Sequence, residues 1–347
     1  MHLRGIGTAK PPARYTKAQC LEAFERSAWF ARLADRGSES ARMKTLVVGA
    51  TGALGRPVVQ LLRARDEAVR ALSRHPGQAA DLASPGVETI AGDLADHESL
   101  ARACEGVDRV LACAHGMLGR GRHRSENIDD LGHRALIAAA GRAGVKRFVY
   151  VSAYGSRPDH PIDFFRTKHA IEQALASSGL DTVVLRPTAF MEHHAHLFNG
   201  KNVLEKGKAR LIGPGTKARN FVCAADVARL AVRALLEDPP PFRLLEIGGP
   251  GHYSNTDVAA LYARTAGLAP RASHLPANVA AAIAVLARPF HPGIARVLRL
   301  AGLADDAFSE RFEGTVDFER DLGVRMTSLE EFVTRQVQAA GLSPRPA

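Results

Sequence analysis

The feature that most constrains this chain is the stretch from Met43 to Pro57. Thr45 to Val48 is a short apolar run rich in β-branched residues, which reads as a buried strand. It stops at Gly49, Gly52 and Gly55, a G-x-x-G-x-x-G spacing, and an apolar helical pattern follows in Val58, Val59, Leu61 and Leu62. Strand, glycine turn and helix in that order set backbone N–H groups beside the positive end of a helix, a geometry that binds a pyrophosphate. Gly49 allows the tight turn, Gly52 lets the backbone approach the phosphates, and Gly55 lets the helix pack closely on the strand. The glycines alone are a weak signal. The strand before them and the helix after them make it a strong one.

From Lys44 onward the chain alternates strand and helix. Further strands are expected at Ala68–Leu72, Val87–Ala91, Val107–Ala114, Phe148–Ser152 and Thr182–Leu185. Helices are expected up to Ala103, over Asn127–Arg142 and over Phe164–Ser177. Such alternation predicts an α/β fold, a doubly wound parallel sheet covered on both faces. The loop Gly116–Arg124, rich in Gly, Arg and His, leaves the C-terminal end of the fourth strand, the edge at which such sheets bind ligands. After Arg186-Pro187 the pattern weakens. Residues 188–219 read as an excursion to the substrate side. Phe221-Val222 and a helix over Ala224–Leu236 read as a return to the main sheet, and Leu244–Ile247 as its last strand. The expected organisation is a sheet domain over 43–250 and a smaller, mostly helical substrate-side region over 251–340. Residues 1–42 stand outside it. They read either as a mis-assigned start, with translation beginning at Met43, or as a functional extension with an amphipathic helix through Leu21, Phe24, Ala28 and Ala31. The first is favoured.

Composition narrows the partners. The chain has 347 residues, 46% hydrophobic and 24% charged, enough for a sizeable core. Its net charge of +10 would suit nucleic acid, an anionic membrane or phosphorylated ligands. Arg is scattered among Glu and Asp with no long basic run, so neither nucleic acid nor membrane is expected, and a small-molecule substrate is. A homodimer is compatible with the sequence. Cys20, Cys104, Cys113 and Cys223 are isolated from one another, which fits a reducing cytoplasm. No apolar run approaches the ~20 residues of a spanning helix. The G-x-S-x-G elbow of α/β-hydrolases and the G-x-x-x-x-G-K-[ST] phosphate loop are both absent.

Five segments together resemble one family: GATGALG at Gly49–Gly55, VYVSAYG at Val149–Gly155, KHAIE at Lys168–Glu172, LRPTAFME at Leu185–Glu192 and FVCAADVA at Phe221–Ala228. They are similar to the atypical short-chain dehydrogenase/reductase superfamily, and within it to the NmrA-like group of NAD(P)-binding proteins. The resemblance spans about residues 43–250 and touches the C-terminal helices only loosely. It implies a Rossmann fold, a bound nicotinamide dinucleotide and, often, reductase activity. The cofactor contacts it implies are Gly49, Thr51, Gly52, Ala53, Leu54 and Gly55 at the turn and Ser73 and Arg74 after the second strand. To these it adds Asp93 and Leu94 after the third strand, Ala114 after the fourth, and Ser152 and Lys168 at the nicotinamide ribose.

The residues argue for the form of the cofactor. An NAD site usually carries Asp or Glu near the end of the second strand to accept from the ribose hydroxyl. Here the strand ends in Ser73-Arg74-His75, with no carboxylate. A guanidinium there can pair with a 2′-phosphate and stack on adenine, so NADP is favoured over NAD. A solvated surface Arg is the plainer alternative. Asp93 would meet the adenine amino group by resemblance, or serve simply as a turn or N-cap residue.

Ser152, Tyr154 and Lys168 are the candidate catalytic residues. In the wider superfamily a Tyr four residues before the Lys donates the proton. That position is Phe164 here, which cannot. Lys168 is left to hold the ribose hydroxyls, or to form an i,i+4 surface pair with Glu172 worth only ~0.3–0.5 kcal/mol. Tyr154 is a substitute donor or a half-buried structural residue. Glu192-His193-His194-Ala195-His196 resembles a metal cluster, but no second ligand group and no H-E-x-x-H order accompany it, so no metal is expected. One of its histidines could polarise a carbonyl. Two functions follow: an NAD(P)H-dependent oxidoreductase, NADP-preferring, acting on a small carbonyl, quinone or imine; or a non-catalytic NAD(P)-binding redox sensor.

Overall fold

The computed structural model describes residues 43–82, 84–298 and 311–344, with the side chains of 78, 80 and 81 also outside the description. The chain divides into two units, Met1–Met43 and Lys44–Ala347. The expected extension over 1–42 lies outside the described residues, and the fold below is that of the second unit.

Strand β1 (Lys44–Val48) is followed by helix α1 (Gly55–Arg63), β2 (Ala68–Ser73), β3 (Val87–Ala91), α2 (His97–Cys104) and β4 (Arg109–Ala112). A π-helical segment, Glu126–Gly132, then runs into α3 (His133–Arg142), β5 (Arg147–Val151), α4 (Asp163–Ala176) and β6 (Thr182–Pro187). The main sheet has seven strands in the order β10-β6-β5-β4-β1-β2-β3, where β10 is Leu244–Ile247, and every pairing is parallel. β1 lies between β2 and β4, so chain direction across the sheet reverses there, which opens the ligand crevice of such folds.

Both faces of the sheet are dry. Val47, Leu111, Val149, Val151 and Leu185 face one core, with Val58 and Leu62 of α1 and Val227 and Leu235 of α6 (Ala224–Leu236). Leu46, Val48, Val110, Phe148 and Tyr150 face the other, with Leu100 of α2, Leu136 of α3 and Ile171 of α4. Burial on both faces is why these strands read as continuous apolar runs rather than alternating ones.

The second half departs from expectation in two places. β9 (Arg219–Val222) does not return to the main sheet. It pairs with β7 (Ala189–Phe190) and β11 (His252–Tyr253) in a separate three-stranded sheet. Residues 251–340 are not helices and turns alone. Besides β11 they contain β12 (Ala272–Leu275), which pairs in parallel with β8 (Ala209–Ile212) and so joins the excursion to the C-terminal region. β7 and β11, of two residues each, carry too little periodicity to be seen in sequence. A π-helical segment Met191–Gly200, α5 (Lys201–Lys206), α7 (Asn255–Thr265) and α11 (Leu329–Ala339) enclose a third core around Met191, Val203, Phe221, Tyr262 and Phe332. Helix α8 (Ala277–Ala287), a helix α9 over 292–298, and α10 (Phe318–Leu322) complete the described elements. Buried Asp226 of α6 ties down the approach to α11, accepting from the Thr327 N–H at 2.6 Å and its hydroxyl at 3.0 Å.

Candidate functional site

The glycine turn forms as its spacing predicts. Gly49 has φ +99°, and a Cβ on it would stand 2.8 Å from the Ala114 backbone nitrogen, so the turn is pressed against the end of β4. A Cβ on Gly55 would come within 2.1 Å of the Gly49 carbonyl oxygen, which fixes how closely α1 can start behind β1. Gly52 differs. It is exposed, and a Cβ there meets only the Gly49 oxygen, at 3.2 Å. A side chain at 52 would project into open space beyond the turn, the cradle a diphosphate needs. Thr51 is exposed and Ala53 half-buried beside it, while the Leu54 side chain is buried in the core, leaving its backbone to the turn.

At the ends of β2 and β3 lies a cavity of about 260 Å³ lined by Arg74, His75, Asp93, Arg102, Arg122 and His123 among others. Ser73 is buried and its hydroxyl accepts from the His75 N–H at 3.2 Å, while Arg74 is exposed. Asp93 is buried. Its carboxylate accepts from the Ala95 N–H at 3.0 Å, from Arg122 at 3.0 Å and contacts His123 Nε2 at 2.6 Å. Burial alone would raise the Asp93 pKa, but these donors hold it below the ordinary range. Arg122 and His123 belong to the Gly116–Arg124 loop, which therefore folds over this cavity. A carboxylate has about four lone-pair sites, so Asp93 keeps capacity for a further donor. Leu94 is buried in the second core and turns its side chain from the cavity.

The third group surrounds Lys168. α4 presents it to the end of β5, where it is 4% exposed and donates from Nζ to the Val151 carbonyl at 2.9 Å. Nζ also lies 4.8 Å from the Tyr150 ring centre and 5.6 Å from that of Phe164. Burial pulls its pKa down, opposed by the negative charge of Asp129 and by Cys113 and Glu172. The surface pair with Glu172 does not exist, because both residues are buried and Glu172 is committed elsewhere. Its carboxylate takes Arg186 Nε at 3.0 Å and Nη2 at 2.6 Å, and accepts the Ser152 hydroxyl. Ser152 thus points its proton at Glu172, and its oxygen faces others as an acceptor. Tyr154 is half-buried, donates to the Arg311 carbonyl at 3.2 Å and meets Phe312 edge-on at 5.2 Å.

Four groups near Lys168 went unread in the sequence. Asp129, 1% exposed, accepts from the Gly116 N–H at 2.8 Å and from the Ser125 hydroxyl. His133 contacts the Ile128 carbonyl through Nδ1 at 2.8 Å, and burial, with the Lys168 charge behind it, pushes its pKa down to about 4. His115, just past β4, is likewise lowered by burial. The hydroxyl of Tyr150 is buried without a partner. The one available signal was position: His115 opens the loop at the C-terminal edge of the sheet.

The acidic and histidine run after β7 is structural at its first residue. Glu192 accepts the Ala224 N–H with both oxygens, at 3.0 and 3.1 Å, and so caps α6. His196 contacts the Tyr262 hydroxyl at 3.1 Å. Burial pushes His194 down to about 3 and lowers His193, so both are neutral near pH 7.

A strand–glycine–helix cradle, a cationic cavity at the ends of β2 and β3, and a buried lysine at the end of β5 line one edge of the sheet. Residues 49–238 match the model of an NAD(P)H-binding family. An NAD(P)H azoreductase of Xenophilus azovorans is 33% identical over 223 residues, 64% of this chain and 73% of that protein. The photosystem II assembly factor Ycf39 of Synechocystis is 27% identical, over 68% and 72%. An NADPH-dependent quinone oxidoreductase of Escherichia coli, solved with NADPH, superposes with a TM-score of 0.64 at 26% identity, covering 85% of this chain and 99% of that one. The glycine cradle, the sheet order and these matches together place the chain in the NAD(P)H-binding family, in the NmrA-like group of atypical short-chain dehydrogenases/reductases.

Proposed function

We propose that this chain is an NADPH-dependent reductase of an electron-poor, conjugated acceptor, with a quinone the first choice and an azo compound the second. The observation that carries the reading is the pair Phe164 and Lys168. The ring that replaces the usual donor tyrosine packs beside a buried Lys168 that is already bound to the Val151 carbonyl. No residue at that position can hand a proton to a substrate oxygen. A quinone suits such a site, since it takes hydride to a stabilised anion and can collect its proton from water. A simple ketone does not, because its alkoxide is a far stronger base. The names of the azoreductase and the quinone oxidoreductase agree with this choice.

A reduced nicotinamide, when bound, supplies the hydride. The chain's part is to bind and to orient. The turn at Gly52 takes the diphosphate, and Lys168 holds the ribose with Ser152 as an acceptor beside it. Arg74 and Arg102 at the cavity by the ends of β2 and β3 favour the 2′-phosphate, which supports NADPH over NADH. Tyr154 then belongs to the packing against Phe312 rather than to proton transfer.

The second reading, a dinucleotide-binding protein without turnover, is favoured by the same absent tyrosine and by the likeness to an assembly factor. One assay separates the two. Oxidation of NADPH is followed by absorbance with a panel of quinones, azo dyes, aldehydes and enones, beside calorimetric NADPH binding. Turnover of quinones or azo dyes with little of aldehydes is expected. Tight NADPH binding with no acceptor reduced would give the protein to the second reading.

A further inference from the structure

Helix α8 contradicts its own composition. Its eleven residues, ANVAAAIAVLA, include no charge, and such a helix normally lies inside a core. Here only Ala280 and Ala284 are buried, one i,i+4 stripe. Val285, Leu286 and Phe290 are 72%, 73% and 82% exposed, with Val279, Ile283 and Ile294 exposed beside them. These are six of the exposed large apolar side chains of the described residues, gathered within sixteen positions of sequence.

The charge along this segment of the chain is one-sided. From Val258 to Ala304 the sequence holds five Arg and neither Asp nor Glu. Arg271 and Arg288 flank α8, are exposed, and meet no acidic side chain among the described residues. An apolar run of this length is too short to span a bilayer and has the length of an interfacial segment. Apolar side chains with Arg at their margin match a surface of acyl chains under anionic headgroups. A second copy fits less well: a symmetric contact would set Arg288 near its own image with no carboxylate in the segment to offset it.

We propose that the face made by α8 and Phe290–Ile294 docks on the surface of an anionic lipid bilayer. The expectation of no membrane partner rested on Arg scattered among Glu and Asp without a long basic run, and on the missing span. The acid-free stretch from Val258 to Ala304 departs from the first, and surface binding does not require the second. Among the described residues, no helix is long and apolar enough to cross a membrane. The face also adjoins the cleft. A Cβ on Gly293 would come within 2.5 Å of the Leu118 backbone, and Arg296 pairs with Glu126 at 3.3 Å and with Asp163, the first residue of α4, at 3.4 Å. Docking therefore brings the loop over the cofactor side towards the lipid. The proposal needs no turnover and stands apart from the reductase reading.

Flotation of the full chain with phosphatidylcholine vesicles, with and without phosphatidylglycerol, tests it. The wild type should float with the anionic vesicles, far less with the neutral ones, and less as salt rises. The double variant Leu286→Ser, Phe290→Ser leaves net charge unchanged and alters exposed positions only. It should lose roughly 100-fold in partitioning, the scale for two apolar side chains, with its melting temperature kept. Leu342→Ser, an exposed leucine elsewhere, should float like wild type. Wild type left in solution with anionic vesicles, or a double variant that floats as well as wild type, overturns the proposal. So does a double variant that turns a dimer into a monomer by sedimentation, which would give the face to a second copy.

Discussion

Lys168 is the residue on which the reading of the site turns. A buried ammonium costs several kcal/mol unless it is bound, and here the Val151 carbonyl and two aromatic rings receive it. Lys168→Met keeps the stem and removes the charge. If the lysine holds the ribose, NADPH binding by calorimetry should weaken ~10- to 100-fold while turnover at saturating cofactor stays within a few-fold. Near-normal binding with turnover down ~100-fold would instead assign Lys168 to charge developing on the acceptor. On the proposed reading, Arg74 meets the other end of the cofactor. Arg74→Asp should cost a charge-assisted pair, about 1.5–3 kcal/mol, and lower NADPH affinity roughly 10- to 150-fold. NADH affinity should fall far less or rise. Equal weakening of both would move the discrimination to Arg102, which lines the same cavity.

At the scale of elements, the β1–turn–α1 unit separates binding from folding. A Cβ at Gly52 meets only the Gly49 oxygen, at 3.2 Å, a contact that a small shift relieves, whereas at Gly55 it would stand 2.1 Å from that oxygen. Gly52→Val should therefore fold with an unchanged circular dichroism spectrum and lose NADPH binding. Gly55→Ala forces α1 off β1 and should cost about 3 kcal/mol in urea unfolding, before any effect on cofactor. A Gly55→Ala protein as stable as wild type would mean that α1 can slide. This unit was fully legible in the sequence, because strand run, glycine spacing and helix pattern are local signals. So were the main-sheet strands and α6, whose expected span, Ala224–Leu236, is the observed one. What was not legible came together through topology. Arg102 lies on α2 and Arg122 and His123 on the loop after β4, and only the sheet order brings them to one cavity. Asp129 sat unnoticed inside an expected helix, since the π-helical turn that aims it at Gly116 leaves no mark in composition. The exposed face of α8 was missed for the opposite reason: its sequence reads as core.

At the scale of the whole molecule, a neutral histidine held where solvent does not reach shapes the response to acid. His133 is 0% exposed, contacts the Ile128 carbonyl through Nδ1, and has its pKa pushed from 6.5 to about 4, by burial first and by Lys168 second. The unfolded chain therefore binds a proton near pH 6.5 that the folded chain refuses until about pH 4. Between those values the unfolded state carries more protons, so stability falls as pH falls, by about 1.4 kcal/mol per pH unit for this one group. Over the window the loss is about 3 kcal/mol, a large part of a domain's 5–15 kcal/mol. His194, pushed to about 3, acts in the same direction. Glu192 acts against both, because burial raises its pKa and its folded form gains a proton first. His133→Phe keeps an aromatic ring beside Tyr150, now 5.4 Å away, and removes the titration. The variant should be somewhat less stable at pH 7.5 for want of the contact to Ile128. Its unfolding free energy, measured in urea at intervals from pH 7 to pH 4.5, should decline less steeply than that of wild type by about 1.4 kcal/mol per pH unit. Parallel curves for the two proteins would show that His133 is protonated in the native state as readily as in the unfolded chain, and that the pocket around Lys168 admits a second positive charge.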